Sequence, residues 1–206
     1  MSKKPIIVFE GIEGSGKSYH INKVSKYLDK KKIEYIKIRE PGGNINSEKI
    51  RKLILSKKSK FNPKTDLLLY LAARSENISQ IKKFYKKKVI LIDRFVDSTI
   101  AYQHYGMGVD LKIINSINKF LLKNIKVDYT FLNIVNSKNL FLRLKKRKSL
   151  NRYDEFNISF YNKVQKGFIK LSKNNKKYYH IVNSNLDIKK NEISINKQVD
   201  KLLKWI

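Results

Sequence analysis

Cysteine is absent from the chain, which excludes disulfides and thiolate metal sites. Three prolines and eight glycines in 206 residues leave nothing like a Pro/Gly-rich linker, and no repeat or break in composition divides the sequence. One domain over residues 1–206 is therefore expected, long enough to bury a sizeable core. No apolar run approaches the roughly 20 residues of a bilayer span, and the N-terminus lacks a secretory-signal profile. The expectation is a cytoplasmic protein without a membrane partner. Acidic residues are also few, 17 against 46 basic ones, which leaves a net charge of +29.

So basic a chain invites a nucleic-acid reading. Only seven of its basic residues are arginine, however, and the lysines are scattered over nearly every expected helix among abundant Asn and Ile. A nucleic-acid footprint would cluster on one face. Lysine filling solvated positions explains the pattern better, and no nucleic-acid partner is expected. Where composition pushes Arg toward Lys, a surviving Arg marks a place that needs a planar, bidentate donor.

What is present starts with Gly11-Ile12-Glu13-Gly14-Ser15-Gly16-Lys17-Ser18. It matches the phosphate-cradling pattern G-x-x-x-x-G-K-[ST], which a chain of this composition produces by chance less than about once in a hundred. The apolar run Pro5-Ile6-Ile7-Val8-Phe9 precedes it as a buried strand, and a helical stretch follows from Tyr19. Glycines let backbone N–H groups turn inward around phosphate oxygens, and the helix N-terminus adds partial positive charge. Lys17 supplies a full charge to the terminal phosphates, and the Ser18 hydroxyl can ligate Mg²⁺.

Strands are expected at 5–10, 33–39, 88–93, 128–135 and 178–183. Helical stretches fall at about 17–31, 46–57, 64–86, 96–123, 137–148, 155–174 and 187–205. That alternation predicts a three-layer α/β/α architecture on a five-stranded parallel sheet, with ligands at the carboxyl ends of the strands. Two further candidate sites lie at such ends. Strand 88–93 finishes in Asp93, followed by Arg94, a carboxylate placed to hold Mg²⁺. Strand 33–39 finishes in Arg39-Glu40-Pro41-Gly42-Gly43, a turn whose charged pair suggests that it lines a site.

Phe9-Glu10-Gly11 with the P-loop, Arg39-Glu40-Pro41-Gly42-Gly43, Ala72-Ala73-Arg74, Asp93-Arg94-Phe95, Ala101-Tyr102-Gln103 and Asn151-Arg152-Tyr153-Asp154 together resemble the thymidylate kinase family, in order and spacing along essentially the whole chain. The resemblance implies a P-loop NTPase-like fold with a helical lid at about 140–155, and phosphorylation of dTMP by MgATP. It implies that Gly11 to Ser18 bind ATP. Tyr70 would stack on thymine, Arg74 would contact the base, and Arg51 and Arg94 would grip the acceptor phosphate. Ser98, Thr99 and Gln103 would be polar contacts and Tyr102 the ring crowding the sugar 2′ position, with Glu40 and Pro41 lining the pocket. Asp93 would serve Mg²⁺ together with Ser18, and Glu13 would act beside the acceptor or the metal. A homodimer packed through parts of 46–86 and 96–123 is implied as well.

Three of the seven arginines fall within 140–155. Family members carry the catalytic arginine either in the P-loop or in the lid, and this P-loop has Glu13 and no Arg. The lid must then provide it, with Arg147 and Arg152 as candidates and Arg143 third. Tyr19, Met107 and Asn133 depart from the family pattern, where a second Ser/Thr, an Arg-containing Gly-rich stretch and an Asp are usual.

Overall fold

The computed structural model describes residues 4–147 and 150–204. Expected positions 148 and 149 of the lid, and 205 of the last helix, lie outside the described residues. Five strands, β1 (Ile6–Glu10), β2 (Tyr35–Arg39), β3 (Val89–Asp93), β4 (Tyr129–Ile134) and β5 (Tyr179–Asn183), form a parallel sheet in the order β2-β3-β1-β4-β5. Strands β1 and β3 are buried on both faces, which is why their sequences run apolar without alternation. Edge strands β2 and β5 are only half-buried.

Both faces are covered by helices. Ile7 and Phe9 point to the face packed by α1 (Lys17–Lys30) and α8 (Ile188–Lys204), through Ile21, Val24, Leu28, Ile195 and Val199. Ile6 and Val8 point to the other face, toward Ile78 and Ile81 of α3 (Pro63–Phe84). The helix α2 (Ile45–Leu55) packs beside α3, and α6 (Ser137–Lys145) and α7 (Ile158–Asn174) pack together with Leu132 and Val135 at and just after β4.

The expected helix 96–123 is broken. A single α-turn, α4 (Val96–Thr99), runs into a π-helical segment at Ile100–Gly106, and α5 (Leu111–Leu122) begins afresh. Gly108 sits at φ +79°, a left-handed conformation no helix can carry, and the Asp110 side chain accepts from Lys112 N at 2.7 Å to start α5. The stretch expected from 155 similarly opens as a 3₁₀ turn at Arg152–Glu155 before α7, which Asn157 caps.

Register decides where the chemistry meets. Phe9 pairs with Asp93, and Asp93 with Arg39, so the P-loop, the Asp93-Arg94 pair and the Arg39-Glu40 turn leave the sheet at one level.

Candidate functional site

Gly11, Gly14 and Gly16 all have φ in the left-handed region. At Gly11 the carbonyl of Asn133 would collide with any Cβ, so the turn admits only glycine there. Gly16 caps α1 without any side-chain acceptor, which leaves first-turn N–H groups directed at the cleft. Lys17, 6 % exposed, donates to Ile12 O at 2.7 Å across the loop. Burial, and then the Arg94 charge, bring its ammonium down to about 8, against the pull of Asp93, Glu13 and Glu10.

That value has a consequence for pH. A phosphate bound at this loop would favour the charged ammonium, so above about pH 8 the expected nucleotide triphosphate would have to bring a proton with it and its affinity should fall, by up to about tenfold per pH unit. Calorimetry in buffers of different ionisation enthalpy should show proton uptake on ATP binding at pH 9 and little at pH 7. Equal uptake at both would assign the lysine an ordinary pKa.

Ser18 Oγ donates to Asp93 Oδ2 at 3.1 Å. A hydroxyl and a carboxylate converging beside a phosphate loop form the all-oxygen donor set that suits Mg²⁺. Among the described residues no trio of His, Asp or Glu forms a metal cluster. Sparse protein ligation is what Mg²⁺ takes where phosphates complete its shell.

Arg94 sits at φ +67°, an unusual backbone for a non-glycine residue that aims its side chain back toward the P-loop. Its guanidinium donates to Gly11 O at 2.9 Å, Ser98 Oγ at 3.2 Å and Glu13 Oε1 at 2.7 Å, and lies over the Tyr102 ring. Tyr102 OH donates to the other Glu13 oxygen. Burial alone would raise the Glu13 carboxyl, but Arg94 and Lys17 together hold it below its ordinary value. Behind this group stands Glu10, which takes no role in the sequence reading. It accepts from Phe95 N (2.7 Å), Ser98 N (3.2 Å) and Ser98 Oγ (2.5 Å), and so anchors the start of α4. Burial, and then Asp97, raise its carboxyl to about 7. An acidic residue ending an otherwise apolar buried strand was the available signal.

Glu13, Gly14, Gly16, Lys17, Ser18, Asp93, Arg94 and Tyr102 all open into one cleft of about 640 Å³. Its far end is lined by Glu40, Pro41, Arg51, Tyr70, Ser98, Tyr102 and Gln103. Arg51 donates to Pro41 O at 2.7 Å, and Tyr70 meets Tyr153 edge-on at 6.1 Å.

Arg74 and Thr99 are not part of the wall. Arg74 is 1 % exposed, and its guanidinium is divided among Glu40 (2.7 Å), Asn118 (2.6 Å) and Thr99 (2.9 Å). A carboxylate buried at Glu40 needs a cation beside it, and Arg74 is that cation.

The three lid arginines separate. Arg143 lines the cleft and donates to Gly14 O (2.8 Å) and Ser184 O (2.7 Å), joining the P-loop to the segment after β5. Arg147 also lines the cleft and pairs with Asp154. Arg152 lies outside it, bound to Asp66 and stacked between Phe61 and Tyr153. The near end of the cleft is completed by His20, Ser184, Leu186, Ile188 and Asn191, for which the sequence carries no motif. The Tyr19 hydroxyl is turned to Glu192.

Comparison with known proteins points one way. The family described as thymidylate kinase matches residues 9–195. A thymidylate kinase from Kosmotoga olearia is 32 % identical over 197 residues, covering 95 % of this chain and 93 % of that protein. One from Thermosipho africanus is 39 % identical over 169 residues, covering 81 % and 84 %. The crystal structure of thymidylate kinase from Ehrlichia chaffeensis superposes with a TM-score of 0.78 at 29 % identity, over 96 % of this chain and 99 % of that one.

Proposed function

The chain belongs to the thymidylate kinase family and phosphorylates dTMP to dTDP with ATP, and we propose that transfer runs in line along the cleft, with Lys17, Arg147 and Arg94 around the moving group. One observation carries the mechanistic reading. The P-loop and the Tyr70–Gln103 pocket open into the same cavity, together with the residues that end β3.

Phosphoryl transfer asks little covalent chemistry of a protein; it asks for alignment and for charge neutralisation. P-loop amides and Lys17 hold the donor phosphates. Arg94, aimed by Glu13, and Arg51, held on Pro41 O, fix the acceptor phosphate and reduce the repulsion between two anions. At about 4 Å and an effective dielectric near 20, each such cation–phosphate pair gives roughly 4 kcal/mol gross. Ser18 and Asp93 would hold Mg²⁺, which supplies further neutralisation of phosphate oxygens. Tyr70 packs on the base, and Tyr102, its hydroxyl fixed by Glu13, crowds the sugar 2′ position. Arg147 comes from the lid, whose closing over both substrates would exclude water. The chain works in the cytoplasm as one domain and as a homodimer, joined through helix faces that leave Leu68, Ile113 and Phe120 exposed.

A coupled ADP-release assay across the common nucleoside monophosphates tests the reading. dTMP should be the preferred acceptor, with dUMP weaker and ribonucleotides poor. Equal turnover of ribonucleotides would remove Tyr102 from sugar selection. ATP hydrolysis without any phosphorylated acceptor would overturn the acceptor site altogether.

A further inference from the structure

Asp66 stands outside every motif in the sequence, yet three side chains converge on it. It lies near the start of α3, 1 % exposed. Its Oδ2 accepts from Gln103 Nε2 at 3.0 Å and from Tyr153 OH at 2.6 Å, and its Oδ1 accepts from the Arg152 guanidinium. Gln103 belongs to the π-helical segment, where its backbone carbonyl is separately held by Val109 N at 2.8 Å. Arg152 and Tyr153 belong to the 3₁₀ turn of the lid. One carboxylate thus joins three parts of the chain.

Chemistry then sets the direction of the Gln103 amide. A carboxylate offers acceptors only, so the NH₂ end must face Asp66. The amide oxygen takes no hydrogen bond among the described residues, and Gln103, although only 1 % exposed, is among the residues that line the cleft, as Arg74 is not. An acceptor presented to a pyrimidine suits the N3–H of thymine or uracil and opposes the N3 lone pair of cytosine.

We propose that Asp66 is a positioning residue for base specificity: it holds Gln103 with its oxygen toward the imide N–H, and through Arg152 and Tyr153 it makes the lid part of the same readout. Tyr153 is suited to that link, because its ring also meets both Tyr70 and Tyr102 edge-on, at 6.1 and 5.8 Å. The proposal rests on the assignment of the far end of the cleft to dTMP.

Asp66→Asn tests it. Asparagine can offer its own N–H to Gln103, which lets the amide turn over and removes the charge that Arg152 needs. Sites that read a base by hydrogen bonding discriminate steeply. The ratio of kcat/KM for dTMP to that for dCMP should therefore fall at least about tenfold, chiefly through KM for dTMP, with KM for ATP little changed. Loss of activity on both acceptors with the ratio intact, or no change at all, overturns the proposal. Should Asp66→Asn show no cooperative thermal transition, Tyr153→Phe removes one hydroxyl from the same oxygen and should lower the same ratio about threefold. An unchanged ratio there overturns the lid link. Wild-type enzyme inactive on dTMP would instead refute the parent assignment.

Discussion

Arg147→Ala should lower kcat by about 10³-fold or more while leaving the ATP dissociation constant within a few-fold of wild type. A cation that meets charge only during transfer contributes about 10³–10⁵ in rate, equivalent to roughly 4–7 kcal/mol. Surface lysines, however many, contribute almost nothing comparable. In the proposed mechanism Arg147 is the lid arginine that takes this role. It lines the cleft, its side chain is 40 % exposed, and its protein partner, Asp154, is one it can exchange for phosphate. Arg143 is committed to Gly14 O and Ser184 O, so Arg143→Ala should instead raise KM for ATP by loosening the loop. Arg152→Ala should act through Asp66, on KM for dTMP. Asp154 is itself buried and keeps only its bond from Asn151 N at 2.8 Å when Arg147 is removed, so the variant should lose some stability and its kinetics should be read well below its Tm. Single-turnover kinetics under saturating nucleotide reads the chemical step directly. If Arg147→Ala turns over within about tenfold of wild type, the transfer arginine lies elsewhere.

How far the sequence alone reaches is clearest at those arginines. The strands were legible because buried parallel strands must be continuous apolar runs, and charges such as Lys88 and Asp93 bound them. The P-loop was legible because its glycines answer a local backbone need at Gly11, Gly14 and Gly16. Other features depend on partners far along the chain. Arg152 meets Asp66 across 86 positions and Arg74 meets Glu40 across 34, and nothing local to either arginine says whether its fork faces phosphate or a buried carboxylate. Arg143, third among the lid candidates, sits between Leu140 and Leu144 in sequence, and its position on α6 is what brings it against Gly14. The break in the expected helix 96–123 escaped for a related reason. Apolar spacing there suits a continuous helix, and the left-handed Gly108 is a conformation that periodicity does not register.

Glu10 and Asp66 share a logic that joins the two halves of the cleft. Each is a buried carboxylate whose acceptors gather donors from several segments: Glu10 fixes the turn that aims Arg94, and Asp66 fixes the amide of Gln103. Groups that line the cleft are thus held by residues that do not line it. Motif order finds the first kind, includes Glu10 without giving it a role, and passes over Asp66.

Arg74→Ala should destabilise the fold by about 3–5 kcal/mol, the cost of removing one partner from a buried ion pair. Against a typical total of about 5–15 kcal/mol this is a large fraction. At about 2–4 °C per kcal/mol for a chain of this size, it should lower Tm by roughly 6–20 °C. The cause is Glu40, only 4 % exposed, with Arg74 as its ion-pair partner. Burial already raises the Glu40 carboxyl above its ordinary value although Arg74 opposes this, and without Arg74 it must rise further. A carboxyl higher in the folded state than in the unfolded chain binds protons preferentially when folded. Stability then falls as pH rises through the unfolded value and levels off above the folded one. The variant should therefore lose less stability relative to wild type at pH 5 than at pH 8. Adding Glu40→Gln to Arg74→Ala should recover much of the loss, since a neutral amide does not need the cation. Denaturant unfolding at both pH values, with KM for dTMP on the same preparations, separates this role from direct base contact. A variant that kept the wild-type Tm yet lost dTMP affinity would return Arg74 to the base.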